Sequence, residues 1–184
     1  DHVAKPSKAT IVDPSRLNYV AANDVCLQCH TQGRPVKNPN AGQFYDWPVG
    51  FHVGLDLKDF WTIEEYLLGE TTFTHFAEGT AKKNRMQAND YVESLMYRRG
   101  VTCFSCHDVH GTSHNADLVK PAQQLCLTCH GPNSPNGPRS ATIEDHTHHP
   151  AGSRGSQCVE CHMPKIEQTI ADVNVRSHTF KFIT

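Results

Sequence analysis

Apolar positions in this chain keep a regular period only in short stretches, separated by segments rich in glycine, proline and asparagine. Rough helical spacing of Phe60, Trp61, Ile63, Tyr66 and Leu67 predicts a helix over 57–68, with Gly69 as its stop. A second is predicted from DYVESLMYRR at 90–99, capped by Asn89 or Asp90 and ended by Gly100, with Val92, Leu95 and Met96 on its inner face. NYVAANDVCLQCH at 18–30 reads as a short helix, and so does AQQLCLTCH at 122–130, where Pro121 suits a first turn. Residues 31–54, 71–87 and 131–140 read as irregular loop, and residues 1–16, with two prolines, as an extended arm. Towards the C-terminus β-branched residues increase over 166–183, but Asp172 and Asn174 interrupt the alternation, so an extended tail with at most one hairpin is expected. The expected fold is mostly coil with short α-helices and little or no β-sheet, as a single domain over 1–184.

Composition makes a conventional core hard to build. Apolar residues are 38 % of the chain, and even with glycine they reach only the lower edge of globular usage. A formal net charge of −2 with no basic patch speaks against a nucleic-acid partner. No run of 18 apolar residues is present, so no membrane-spanning helix is expected. The sequence starts at Asp1, which reads as a processed mature chain.

The missing apolar volume has a source in the cysteines. All eight fall in four Cys-x-x-Cys-His units: CLQCH at 26–30, CFSCH at 103–107, CLTCH at 126–130 and CVECH at 158–162. This spacing serves c-type haem attachment: Cys26, Cys29, Cys103, Cys106, Cys126, Cys129, Cys158 and Cys161 add to porphyrin vinyl groups, and His30, His107, His130 and His162 ligate the irons. Zinc knuckles or redox disulfides also use paired cysteines, but neither requires a histidine directly after the second one. Four haem c groups are therefore expected, with the polypeptide as a wrapping around a stacked haem array. The second and third units start only 23 residues apart. At about 3.3–3.6 Å per extended residue, their two haems must lie close together. Covalent haem attachment takes place outside the cytoplasm in prokaryotes, so an exported protein is expected.

Nine further histidines remain for four distal positions: His2, His52, His75, His110, His114, His146, His148, His149 and His178. That surplus favours bis-histidine irons and electron transfer, because an open axial position is what invites substrate chemistry. Met86 and Met96 read as packing residues at helical spacing.

In YDWPVG at 45–50, NRMQAND at 84–90, GVTCFSCHDVHG at 100–111, LCLTCHGPNSPNGP at 125–138, HTHHPAGSRGSQCVECHMPK at 146–165 and VRSHTF at 175–180, the chain resembles the cytochrome c554 and c-prime-like multihaem family. Within it the likeness is to tetrahaem outer-membrane cytochromes of metal-reducing bacteria that polymerise into extracellular filaments. The resemblance implies distal ligands at His110, at His149 or His148, and at His178. His110 is too close to His107 to reach the same iron from the opposite face, so it would serve another haem. Where relatives often carry a histidine before KNRMQ, this chain has Lys82; His75 is the choice for the fourth ligand, with His52, His146 and His2 as alternatives. His2 is otherwise a solvated terminal residue, and His114 an ordinary loop residue.

Three functions follow as expectations. The leading one is a non-enzymatic conduit at or outside the cell surface, a homopolymer with haem-to-haem contacts between subunits, taking electrons from other cytochromes and passing them to an extracellular metal oxide or partner cell. The second is a soluble periplasmic carrier between a quinol-oxidising cytochrome and a terminal reductase. The third, an enzyme with one open haem, ranks below both, since every motif ends in histidine and none in lysine.

Overall fold

The computed structural model describes residues 2–166 and 175–181. The chain divides into two compact units, Asp1–Thr102 with one Cys-x-x-Cys-His motif and Cys103–Thr184 with three. Among the described residues six short α-helices and one two-stranded sheet sit in a majority of turns and coil. This is the coil-dominated fold that the broken periodicity implies.

In the first unit α1 (Tyr19–His30) starts where the Asn18 side chain accepts from the N–H groups of Val20 and Ala21, satisfying two donors that a helix start leaves open. The segment expected to be helical at 57–68 is instead one 3-10 turn, Leu57–Asp59, followed by strand β2 (Trp61–Ile63), antiparallel to β1 (Gly33–Pro35). Tertiary pairing overrode the helical spacing. Burial of Trp61 explains it: the indole N–H donates to Thr31 Oγ1 at 3.0 Å, and the Thr31 hydroxyl donates to Leu27 O at 2.7 Å. The second expected helix is two pieces, α2 (Gln87–Val92) and α3 (Leu95–Arg98). Ser94 breaks it by accepting from Tyr97 N at 3.1 Å, the ordinary behaviour of serine as a cap. Gly100, at φ +82°, closes α3 as expected, with Val101 N donating back to Met96 O. Leu95, expected inward, is exposed.

Polar side chains do much of the work that regular hydrogen bonding does elsewhere. Asn89 accepts from Gln32 N and donates to Gln32 O and Glu64 O, and Asp90 accepts from Ala81 N at 2.8 Å. Asp24 accepts from Leu57 N at 3.0 Å, and Asn23 donates to Val101 O at 3.2 Å. With Leu27, Phe51, Leu57, Trp61, Met86 and Tyr91 buried among them, these ties hold α1 inside otherwise irregular chain. The N-terminal arm is not fully extended, since His2 Nδ1 lies 3.0 Å from Thr10 Oγ1.

The second unit holds α4 (Ala122–His130), α5 (Ile143–Thr147) and α6 (Cys158–His162), none with a buried residue. Val175 is its one buried hydrophobic side chain among the described residues. Such a unit cannot be stable on protein contacts of this kind alone, because hydrophobic burial is the main term opposing chain entropy. The possible C-terminal hairpin falls mostly on residues 167–174 and 182–184, outside the described residues; an antiparallel bridge between Lys165 and Arg176 flanks it.

Candidate haem-binding sites

Each motif occupies one helical turn, so its two cysteines share a face and the histidine follows on the next step. The first and third lie at the C-terminal ends of α1 and α4, and the fourth is the whole of α6. The second starts on a 3-10 turn, Cys103–Ser105, with His107 N bonded to Cys103 O at 3.0 Å. No disulfide joins any of the eight cysteines among the described residues.

Each motif histidine with a resolved Nδ1 partner is turned the same way. His107 Nδ1 donates to Ala116 O at 2.9 Å and His130 Nδ1 to Asn136 O at 2.6 Å, while His30 Nδ1 faces Gln87 Oε1 at 3.4 Å. A carbonyl can only accept, so the neutral ring carries its proton on Nδ1 and presents Nε2 as the ligating atom. His178 is set alike, with Nδ1 donating to Arg176 O at 2.9 Å.

Two pairs of imidazoles then face each other. His107 and His178 have ring centres 6.3 Å apart and planes 28° apart; His146 and His162 are also 6.3 Å apart, with planes 2° apart. Metal–imidazole bonds are about 2 Å and a ring nitrogen lies about 1 Å from the ring centre, so two imidazoles on opposite sides of one metal have centres about 6 Å apart. Both pairs fit an iron held between them. Among the described residues no three His, Cys, Asp or Glu side chains gather around one point. The donors therefore come in twos, which suits a metal whose other four positions belong to a porphyrin and does not suit a zinc knuckle. Together with the single buried hydrophobic side chain among the described residues of the second unit, the donor set fits haem c.

The remaining candidates are held differently. His110 is exposed and bonded to Asp108, whose Oδ1 accepts its N–H at 2.9 Å and lies 3.2 Å from its Nδ1. Those bonds, the backbone one first, hold the Asp108 carboxyl below its usual pKa. His149 lays its ring on Gly155, where an added Cβ would come within 2.5 Å of the imidazole. His148 caps α5 in the left-handed region at φ +56°. His114 precedes a 3-10 turn at Asn115–Asp117, as a loop residue would. In the first unit His75 is buried, with Nδ1 3.0 Å from Thr74 Oγ1, and burial pushes its pKa down. His52 is exposed.

Sequence reasoning ranked His149 above His146, yet His146 faces His162. It also missed Gln123, whose amide ties α4 to α6, and Arg176, which donates to Val159 O and Met163 O, both at 2.8 Å. Nothing in their local sequence signals either role.

Comparison with known proteins agrees with this chemistry. Residues 97–135 match the doubled CXXCH motif family. The chain is 24 % identical over 122 residues to the multiheme cytochrome MtrA of Shewanella baltica (strain OS185), covering 63 % of this chain and 34 % of that protein. Its fold is similar to the crystal structure of the outer cell wall cytochrome OcwA, with a TM-score of 0.67 at 18 % identity, over 98 % of this chain and 47 % of that one. The chain thus spans about a third to a half of the length of these proteins.

Proposed function

We propose that this multihaem c-type cytochrome carries four haem c groups, one at each motif, and passes electrons along them as a subunit of an extracellular conduit. When bound, haem c supplies a one-electron ferric/ferrous couple, and an iron with histidine on both sides offers no open position to a substrate. The chain's own part is to hold the ligands. His107 and His178 would hold one iron and His146 and His162 another, with the backbone carbonyls behind His107, His130 and His178 leaving each Nε2 free to ligate. His130 takes its second ligand from His110, His149 or His148, and His30 from His75, with His52 and His2 as further candidates. The observation that carries the reading is the 6.3 Å spacing of both imidazole pairs.

In this reading the protein lies at or outside the cell surface, as the name of the outer cell wall cytochrome of similar fold says of that protein. No described helix is long and apolar enough to cross a membrane. The exposed His52 and the N-terminal arm with His2 offer groups through which one subunit can complete a haem of the next. In this reading the protein is a homopolymer, fed by other cytochromes and drained by an extracellular metal oxide or partner cell. Electron microscopy of native protein sheared from the cell surface is the test. Long filaments of regular repeat are expected; dispersed particles would refute the polymer and leave a periplasmic carrier as the better account.

A further inference from the structure

The imidazoles differ in what stands behind them. Nδ1 of His30, His75, His107, His130 and His178 meets an amide, hydroxyl or backbone carbonyl oxygen, all of them neutral. That of His110 meets a carboxylate: Asp108 Oδ1 lies 3.2 Å from it and also accepts the His110 backbone N–H at 2.9 Å. Asp108 directly follows His107, and its backbone is tied on both sides. Asp108 N donates to Asp117 O at 2.8 Å, Gly111 N donates to Asp108 O at 3.1 Å, and Val119 N returns to Cys106 O at 3.0 Å. The carboxylate is thus aimed from the second motif itself. When Nδ1 gives its proton to a carboxylate, Nε2 is left to ligate. A negative partner also makes the imidazole a stronger electron donor than a carbonyl does, and a stronger donor favours ferric over ferrous iron.

We propose that Asp108 is a positioning residue that holds His110 for ligation through Nε2 and lowers the reduction potential of the iron His110 serves, setting that haem apart from those whose histidines rest on neutral oxygens. The inference rests on the reading that His110 is a distal ligand. Asparagine separates charge from shape at this position. It keeps an acceptor oxygen for both His110 N–H groups and forms the same local turn, but carries no charge. Asp117 provides the comparison: it lies in the same loop, and its Oδ1 accepts from Thr112 N at 3.2 Å rather than from an imidazole.

The test uses the holoprotein and three variants, D108N, D117N and H110A, followed by spectroelectrochemical titration and by electron paramagnetic resonance of the oxidised state. In D108N one couple should move to higher potential while the irons stay low-spin, and D117N should move it less. The difference should persist at about 1 M salt, where charges acting through solvent are screened. Unchanged couples in D108N would overturn the inference and mark Asp108 as a turn-former only, since asparagine serves that role equally well. An equal shift in D117N, or a D108N shift that vanishes in salt, would overturn it too, by showing a surface charge rather than a hydrogen bond at work. H110A should gain a high-spin ferric signal; a fully low-spin H110A would instead refute the ligand reading on which the inference stands.

Discussion

Arg176 offers a test of how His178, proposed above as a distal ligand, is kept in place. Its guanidinium donates to Val159 O and Met163 O, both at 2.8 Å, and to Glu160 Oε1 at 2.5 Å, while Glu160 also pairs with Arg154 Nε at 2.8 Å. Around this clamp Ser177 N bonds to Pro164 O, and His178 follows with its ring towards His107. In R176M these three donated bonds disappear. Hydrogen bonds to charged groups are worth about 1.5–3 kcal/mol each. Arg176 is about a quarter exposed and Glu160 keeps Arg154, so water and the second arginine recover part of that. A net loss of about 2–4 kcal/mol remains, or about 30- to 800-fold in the equilibrium for docking this segment. Lysine cannot replace the planar fork, so R176K should recover little. The assay is electron paramagnetic resonance of the oxidised holoprotein, with H178A as the reference for a fully lost ligand. R176M should show a high-spin ferric fraction between those of wild type and H178A. A wild-type spectrum for R176M would refute the clamp, and a wild-type spectrum for H178A would refute the assignment of His178 itself.

Three further predictions follow from the same geometry. On the proposed ligand assignment, H146A should leave one iron five-coordinate and open to carbon monoxide in the reduced state while the number of covalently bound haems stays that of wild type; a variant that binds no carbon monoxide would show that His162 has another partner. G33A should lower the unfolding free energy by about 1–3 kcal/mol, the usual cost of overpacking, read as a lower urea midpoint, because an added Cβ would meet the Trp61 indole, with Cε2 at 2.7 Å, and the Thr62 carbonyl; an unchanged midpoint would contradict that packing. D24N should melt higher than wild type at neutral pH. Burial, partly offset by the Leu57 N–H, raises the Asp24 pKa above 3.8. The folded chain therefore holds its proton longer than the unfolded one, and stability falls as pH rises from 3.8 upwards. Asparagine keeps the acceptor without the buried charge, so the gain should vanish below pH 3.8; a gain that persists in acid would rule out this cause.

The attachment chemistry was legible in the residues alone, because two thiols and an imidazole on one helical turn are spelled out within five consecutive positions. The coil-rich fold was legible too, since few apolar residues and frequent Gly, Pro and Asn leave little to build longer elements from. Helix α4 could be read to within a residue, with Pro121 before it and Gly131 after it. The stretch 57–68 was misread because its apolar spacing suits a helix, while the contacts that decided it, to Thr31 and to the strand at Gly33–Pro35, lie about 30 residues away. The same reason limits ligand assignment. His178 is 71 residues from His107 and His146 is 16 from His162, so no local period relates them. In the run HTHH the resemblance put His149 or His148 ahead of His146, on no local signal. In the folded chain α5 turns His146 towards His162, the bare backbone of Gly155 takes the ring of His149, and the left-handed turn at His148 separates the two. Covalent attachment is a local property written in neighbouring residues, whereas coordination across a metal depends on what tertiary packing brings to its far side.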